Sequence, residues 1–211
     1  MLFDLDNTLV DRDAAFRLWA GEFAAGRGLP ADAVDRLVAL DGDGFTPREE
    51  VFARARESFS LADPVEDLIE DYHHRYPRHI TLPERSRSGL RALRSAGWKV
   101  GIVTNGVRVQ QRKLEAARLL DEVDGVCISD LVGSWKPDPG IFEEAARRCG
   151  TGLAGWMVGD SGPADIRGGQ AVGLRTIWMT RGRTWDLGDP RPDSCVDTVA
   201  EAVEVILSGR T

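Results

Sequence analysis

The sequence is poor in cysteine and lacks any long apolar run. Its 211 residues include only 3 cysteines, and their odd number and wide spacing fit neither a disulfide framework nor a zinc site. No apolar run approaches the ~20 residues that a membrane span needs, and the N-terminus lacks the basic-then-apolar pattern of a signal peptide. We therefore expect a cytoplasmic protein in a reducing environment, with no membrane partner.

Positive charge is also scarce. The chain has 27 basic and 34 acidic residues, and its net charge of −7 argues against a general affinity for nucleic acid or anionic membranes. Only three of the basic residues are lysines, so Lys99, Lys113 and Lys136 each stand out. With 42% hydrophobic and 29% charged residues, the composition is that of an ordinary globular chain. This length suits one domain, or a core with an inserted subdomain.

Residues 12–80 carry helix-like patterns and no convincing strand. Apolar residues recur there at spacings of three and four, the period of an amphipathic helix, in four successive runs. Turn-forming residues separate the runs, and some of them, such as Thr46-Pro47, supply the chemistry of a helix start. We expect an α-helical subdomain over 12–80, inserted into a core made of residues 1–11 and 81–211.

Outside that window, short apolar runs alternate with amphipathic stretches. The expected strands are residues 1–5, 99–103, 125–129, 156–158 and 175–179. The expected helices lie near residues 85–96, 107–120, 139–148, 164–172 and 198–207, and residues 180–195 are expected to form an irregular surface loop. This alternation predicts an α/β fold with a Rossmann-like, doubly wound parallel sheet. Such a sheet binds ligands at the carboxyl ends of its strands, where the strand order reverses.

Polar residues stand at the ends of the first two expected strands. Asp4 and Asp6 are two positions apart, so on a strand both carboxylates face the same way. The second strand is followed by Thr104-Asn105-Gly106, which offers a hydroxyl, an amide and a glycine whose backbone can approach a ligand closely.

The fourth expected strand adds more acids to the same edge of the sheet. It is followed by Asp160, with Asp165 five residues later, and Lys136 stands between the third and fourth strands. Clustered carboxylates repel one another unless a cation neutralises them. Hard oxygen ligands of this kind suit Mg²⁺, which binds few carboxylates together with waters and a phosphate.

Four motifs occur in a specific order. They are Asp-Leu-Asp-Asn-Thr at 4–8, Thr-Asn-Gly at 104–106, Lys-Pro at 136–137 and Gly-Asp-Ser-x-x-x-Asp at 159–165. Each is weak alone, but together and in register they resemble the haloacid dehalogenase superfamily of aspartate-nucleophile phosphohydrolases, over essentially the whole chain. The helical window at 12–80 stands where one large branch of that family inserts an α-helical cap.

The resemblance implies a role for each matched residue. Asp4 would be the nucleophile that forms an aspartyl-phosphate, and Asp6 would protonate the leaving oxygen and later take a proton from the attacking water. Mg²⁺ would be held by the Asp4 carboxylate, the Asp6 backbone carbonyl and the Asp160 carboxylate. Asp165 would support the ion through water or through hydrogen bonds to its ligands. The residues implied to hold the phosphoryl group are Thr104, Asn105, Gly106 and Lys136.

Two further positions bear on the chemistry and the substrate. Dehalogenase members of the family lack an acid at the position of Asp6, so its presence favours phosphoryl transfer over carbon–halogen cleavage. Arg48 follows Gly-Phe-Thr-Pro at the start of a helix, similar to the family's substrate-contacting cap loop, although a solvated arginine would give the same pattern.

The histidines lie on a polar stretch that is more typical of solvated side chains than of a metal site: His73, His74 and His79.

The sequence thus predicts a Mg²⁺-dependent phosphatase for a small phosphorylated metabolite, working as a monomer or homodimer. A phosphomutase on the same scaffold remains an alternative. A mutase needs a second phosphate-binding site under the cap, and the sequence offers few residues for it, since residues 12–80 contain no lysine and Arg48 is the one basic residue there placed near the pocket. A non-catalytic binding module with the same fold is the other alternative. Such a module has no need of an acid at position 6.

Overall fold

The computed structural model describes residues 1–209. The chain divides into two compact units. One, the sheet unit, comprises Met1–Asp11 and the chain from Thr81 onward; the other, the helical unit, comprises Arg12–Ile80. The helical unit therefore interrupts the sheet unit shortly after its first strand.

The helical unit contains four α-helices: α1 (Arg12–Arg27), α2 (Ala33–Asp41), α3 (Arg48–Phe59) and α4 (Val65–Arg75). Its core is aromatic, because α1 repeats a large ring at the spacings that keep side chains on one helix face. Trp19 packs edge-on against Tyr72 with ring centroids 4.9 Å apart, and Tyr72 stacks on Tyr76 at 4.7 Å. This packing gives the unit a hydrophobic core of its own.

The sheet unit is built on six parallel strands in the order β3-β2-β1-β4-β5-β6. They are β1 (Leu2–Phe3), β2 (Gly101–Thr104), β3 (Gly125–Ile128), β4 (Trp156–Gly159), β5 (Arg175–Met179) and β6 (Ser194–Val196). The order reverses beside β1, whose Phe3 pairs with Ile102 on one side and with Val158 on the other. The predicted α/β class and parallel sheet are confirmed.

The helices of the sheet unit connect and flank these strands: α5 (Glu84–Ser95), α6 (Val109–Ala116), α7 (Ser129–Val132), α8 (Pro139–Arg148), α9 (Gly168–Ala171) and α10 (Val199–Ser208). The apolar face of α8 shows how they pack, because Ile141 and Phe142 are buried in one cluster with Leu2 and Met157 of the sheet. Within residues 1–209, no helix combines the length and apolar character needed to cross a membrane.

The structure departs from the sequence-based expectations in several places. The helix expected over 107–120 is the shorter α6, and α7 was not expected. The two clearest departures lie further along the chain. Residues 180–195 were expected to form only an irregular loop, but β6 begins at Ser194 and pairs with β5. Residues 164–172 were expected to form one helix; instead a π-helical turn over Gly162–Arg167 precedes the short α9. In that turn the backbone N–H groups of Asp165 and Ile166 both donate to the carbonyl of Ser161, at 2.9 and 3.2 Å.

Candidate active site

Three adjacent parallel strands bring polar residues to one edge of the sheet. Asp4 directly follows β1, Thr104 is the last residue of β2, and Asp160 directly follows β4. The Asp4 N–H donates to the carbonyl of Val158 at 2.8 Å, so the pairing of β1 with β4 continues to the first residue of the site. This edge lies where the strand order reverses, which is the usual ligand-binding position in such sheets.

Lys136 is the centre of a buried ion-pair cluster. Its Nζ lies 2.6 Å from Asp4 Oδ1 and 2.7 Å from Asp165 Oδ1, and it donates to the carbonyl of Val103 at 2.9 Å. Three acceptors match the three donors of an ammonium group. The side chains of Lys136 and Asp165 are 3% and 1% exposed. Since these charges are removed from water, each depends on the other for its stability.

Burial and neighbouring charges shift the pKa values of this cluster. Burial alone would favour the neutral amine of Lys136, but Asp165 and Asp4 outweigh it and raise its pKa, so the side chain stays charged. Burial raises the pKa of Asp4 well above its usual range, an effect that Lys136 opposes and the nearby carboxylates reinforce. Burial and the charge of Asp165 raise the pKa of Asp160 to about 6. A further cation would relieve this mutual repulsion of carboxylates.

The carboxylates form a compact set of oxygen ligands. Asp4, Asp160 and Asp165 each present one oxygen, and these atoms lie within 4.8 Å of one another. The second oxygen of Asp165 accepts the Ser161 N–H at 2.9 Å. A Cβ added to Gly159 would lie 2.2 Å from that oxygen, so a glycine here leaves room for the carboxylate. A site made only of hard oxygen donors fits Mg²⁺.

The strand β5 and the segment that follows it also hold Asp160. Trp178 Nε1 and Arg183 Nη2 donate to the Asp160 carbonyl at 2.9 and 2.8 Å. The guanidinium groups of Arg183 and Arg181 lie 3.2 and 3.8 Å from its carboxylate. Sequence analysis missed these partners, because nothing in the loop pattern indicated that its arginines turn back to the strand ends.

The loop after β2 mainly holds the rest of the site in place. The Asn105 amide donates to the Lys136 carbonyl at 2.9 Å and accepts the Lys136 N–H at 2.8 Å, so this side chain fixes the backbone that carries the lysine. The Gly106 N–H donates to Ser129 Oγ at 2.9 Å. Thr104 is buried, and its Oγ1 accepts from Gln110 at 2.7 Å, which leaves its own hydroxyl proton to donate.

Asp6 has two partners that sequence analysis did not assign to the site. Lys113 Nζ lies 2.9 and 2.7 Å from the two carboxylate oxygens of Asp6, and Gln110 Nε2 donates to one of them at 2.9 Å. Both partners lie on α6. The scarcity of lysine drew attention to Lys113, but its sequence position gave no sign of the pairing.

Arg48 lies in the helical unit, where it belongs to a packed ion-pair cluster. Its Nη2 lies 2.7 Å from Asp41 Oδ1, which Arg12 also contacts, and its guanidinium lies 5.3 Å from the Tyr72 ring centroid. The Arg48 side chain is 18% exposed, so it is not the solvated arginine of the alternative interpretation. Among residues 1–209, the histidines belong to no cluster of three or more His, Cys, Asp or Glu side chains placed to bind a metal.

Comparison with known proteins connects this geometry to a family. The model of the family described as "haloacid dehalogenase-like hydrolase" matches residues 1–173. Phosphoserine phosphatase from Thermus thermophilus is 34% identical over 159 residues, which span 73% of this chain and 63% of that protein. Glyceraldehyde 3-phosphate phosphatase from Pyrococcus abyssi is 31% identical over 194 residues, 87% of this chain and 82% of that protein. The structure of the HAD-hydrolase YfnB from Bacillus subtilis matches with a TM-score of 0.81 at 23% identity, covering 97% of this chain and 96% of that one.

Proposed function

This chain belongs to the haloacid dehalogenase-like hydrolases and is a phosphatase, and we propose that it hydrolyses a small phosphorylated metabolite through an aspartyl-phosphate on Asp4, with Mg²⁺ as its cofactor. The observation that supports this proposal best is the buried contact of Lys136 with Asp4 and Asp165, beside Asp160. The proposed nucleophile, a buried positive charge and carboxylate oxygens suited to a cation thus lie at one place.

Asp4 carries the covalent step. Lys136 binds its Oδ1, so Oδ2 attacks phosphorus while the bond to the leaving oxygen breaks and that oxygen takes a proton from Asp6. The alcohol product departs. The oxygen of a water molecule then attacks the phosphorus of the aspartyl-phosphate, while the water gives a proton to the Asp6 carboxylate. Inorganic phosphate leaves, and the Asp4 carboxylate is restored.

Lys136 and Thr104 are the residues that meet the phosphoryl oxygens. Lys136 retains its charge beside the nucleophile and so neutralises negative charge that develops in the transition state. The Thr104 hydroxyl donates a hydrogen bond to a phosphoryl oxygen. Asn105 contributes by holding the Lys136 segment, and Gly106 contributes the turn that brings the loop to the site.

The residues that would hold Mg²⁺ are the Asp4 carboxylate, the Asp6 backbone carbonyl and the Asp160 carboxylate, with Asp165 orienting them. When bound, the ion supplies Lewis-acid stabilisation of the charge on the phosphoryl oxygens. The role of the protein is to fix these oxygens: Arg183 and Trp178 hold the Asp160 backbone, and Ser161 holds Asp165.

The helical unit has the role of a cap that selects the leaving group, and Arg48 is its substrate-contacting residue. The named substrates of the relatives, phosphoserine and glyceraldehyde 3-phosphate, are small phosphate esters, and a small phosphorylated metabolite is the substrate class we assign here. We assign the enzyme to the cytoplasm, as a monomer or homodimer.

Phosphate release from such esters tests the proposal, with EDTA and with Mg²⁺ restored. Activity should vanish with EDTA and return with Mg²⁺. In the wild-type enzyme, mass spectrometry after acid quenching should find a phosphoryl adduct on the peptide that contains Asp4. The Asp4→Asn variant should fold, but it should neither hydrolyse substrate nor form this adduct. Asp130→Asn is the matched control, because Asp130 is exposed on α7. Undiminished turnover by Asp4→Asn would rule out the aspartyl-phosphate.

A phosphomutase would use the same nucleophile and acid, so a product analysis must separate the two activities. The enzyme is incubated with candidate monophosphates, with and without a bisphosphate activator, and the products are followed by phosphorus NMR. Free phosphate that accumulates in step with substrate loss supports hydrolysis. A positional isomer formed with little free phosphate would establish the mutase instead.

A further inference from the structure

The Asp6 carboxylate is held at both oxygens by side chains of one helix. Lys113 Nζ reaches Oδ1 at 2.9 Å and Oδ2 at 2.7 Å, and Gln110 Nε2 adds a bond to Oδ2 at 2.9 Å. The same Gln110 nitrogen lies 2.7 Å from Thr104 Oγ1. One amide group therefore links the acid that follows β1 to the hydroxyl that ends β2.

The sequence of α6 explains how two side chains reach one carboxylate. Gln110 and Lys113 are three positions apart, so they lie on the same face of the helix. Both are buried, with 2% and 4% of their surface exposed. A lysine is rarely buried to this extent unless it is paired, and Asp6 supplies the charge that pairs it.

The loop that leads into α6 is shaped around Gln110. Gly106 has a φ of +150°, and a Cβ there would lie 2.7 Å from Gln110 Cγ. A side chain at position 106 would therefore push Gln110 away from Asp6 and Thr104. The glycine of the Thr-Asn-Gly motif thus makes room for the side chain that contacts the acid.

We propose that Gln110 and Lys113 are positioning residues for the proton-transfer step: they hold the Asp6 carboxyl group in one rotamer, from which its protonated form serves the leaving oxygen and its carboxylate form serves the attacking water. This inference rests on the proposed role of Asp6. An acid that transfers a proton must lie within hydrogen-bond reach of its target, and a displacement of about 1 Å costs on the order of 100-fold in rate. An unrestrained Asp side chain would sample several rotamers, whereas these bonds select one.

The test compares two esters that differ in their need for an acid. An alkyl phosphate expels a basic alkoxide that must be protonated, whereas dinitrophenyl phosphate expels a stable phenolate that needs no proton. Lys113→Met should lower kcat/KM for the alkyl phosphate by about 100-fold and leave that for the dinitrophenyl ester nearly unchanged. Gln110→Leu should lower kcat/KM more for the alkyl phosphate than for the dinitrophenyl ester, with some loss on both esters because Gln110 also contacts Thr104. The inhibition constant of inorganic phosphate should stay the same in Lys113→Met.

Two variants from the same chain serve as matched controls. Lys99→Met removes a lysine whose side chain is 54% exposed and pairs with Asp124. Gln111→Leu changes the exposed neighbour of Gln110, and the Gln111 side chain bonds along the helix to Glu115. Neither should alter kcat/KM for either ester.

A double-variant comparison shows whether Lys113 acts through Asp6. In an Asp6→Asn background, Lys113→Met should cost little more, because the group that it positions is already gone. Equal losses on both esters, or a full additional loss in the Asp6→Asn background, would overturn the inference. If Lys113→Met does not fold, Gln110→Leu decides by the same comparison. Failure of the proposed function would give a different result, because wild-type enzyme would then release no phosphate from either ester.

Discussion

At the scale of single residues, Lys136 is the side chain on which the site depends most. Its ammonium bridges two carboxylates, Asp4 and Asp165, that follow different strands, and all of them are buried. Removal of one partner from a buried ion pair leaves the other charge without compensation, which typically costs about 3–5 kcal/mol. We therefore expect a single substitution of Lys136 to lower both stability and activity.

We predict that Lys136→Met abolishes phosphatase activity and lowers the free energy of unfolding by about 3 kcal/mol. Urea denaturation in EDTA measures the loss without any contribution from bound metal. Lys99→Met, a change at an exposed ion pair, should shift the free energy of unfolding by at most about 0.5 kcal/mol. Equal stability of the two variants would contradict the structural role assigned to Lys136.

The cysteines provide a second residue-scale prediction, because burial separates their reactivities. Cys127 and Cys149 are buried, whereas Cys195 is exposed. Burial raises the pKa of Cys127 to about 11 and also raises the pKa values of Cys149 and Cys195. We expect iodoacetamide at pH 8 to label Cys195 alone in the native protein, faster as rising pH increases the thiolate fraction. In denaturant, Cys127 and Cys149 should also be labelled. Peptide mass spectrometry identifies the labelled residues, and labelling of Cys127 in the native protein would refute the prediction.

At the scale of elements, the end of β4 is packed too closely for a side chain at Gly159. An added Cβ would meet Asp165 at 2.2 Å, so Gly159→Ala should displace that carboxylate, destabilise the protein by about 1–3 kcal/mol and impair catalysis. Gly21→Ala, inside α1 with open space around the added Cβ, should instead stabilise by about 0.5–1 kcal/mol. Thermal melts and phosphate-release assays of both variants check the contrast. An active, fully stable Gly159→Ala enzyme would show that Asp165 can move without cost.

The elements differ in how far the sequence predicts them. Residues 139–148 were predicted to form a helix, and α8 spans those residues, because a proline at its first position and a regular apolar face both indicate it. The strand β6 has only three residues, Ser194–Val196, too few for a periodic pattern. Its strand conformation comes from pairing with the edge of β5, a contact that the segment itself does not encode.

At the scale of the whole molecule, family membership leaves two chemistries to separate, phosphoryl transfer and dehalogenation. The two differ in their leaving group, because a halide departs without a proton and an alkoxide needs one. We predict that the enzyme releases phosphate from small phosphate esters but no halide from 2-haloacids, since the acid role that we propose for Asp6 serves only the first reaction. Halide release and phosphate release are measured on the same preparation. Halide turnover comparable to phosphate turnover would contradict the assignment.

The sequence by itself determined the fold class and the residues that meet at the strand ends. Hydrophobic period is a local property, and a motif that directly follows a buried strand must lie at the carboxyl edge of the sheet. The local pattern alone therefore puts Asp4, Thr104 and Asp160 at this edge.

Only the tertiary structure decided what each of these groups contacts. Lys113 and Asp6 are 107 positions apart, Lys136 and Asn105 are 31 apart, and Arg183 and Asp160 are 23 apart. Contacts between residues so far apart in the sequence depend on strand order and on the way helices pack against the sheet. No local pattern of residues encodes either of these. For the same reason the sequence alone did not reveal that Asn105 holds the backbone of Lys136, or that two side chains of α6 hold the acid that follows β1.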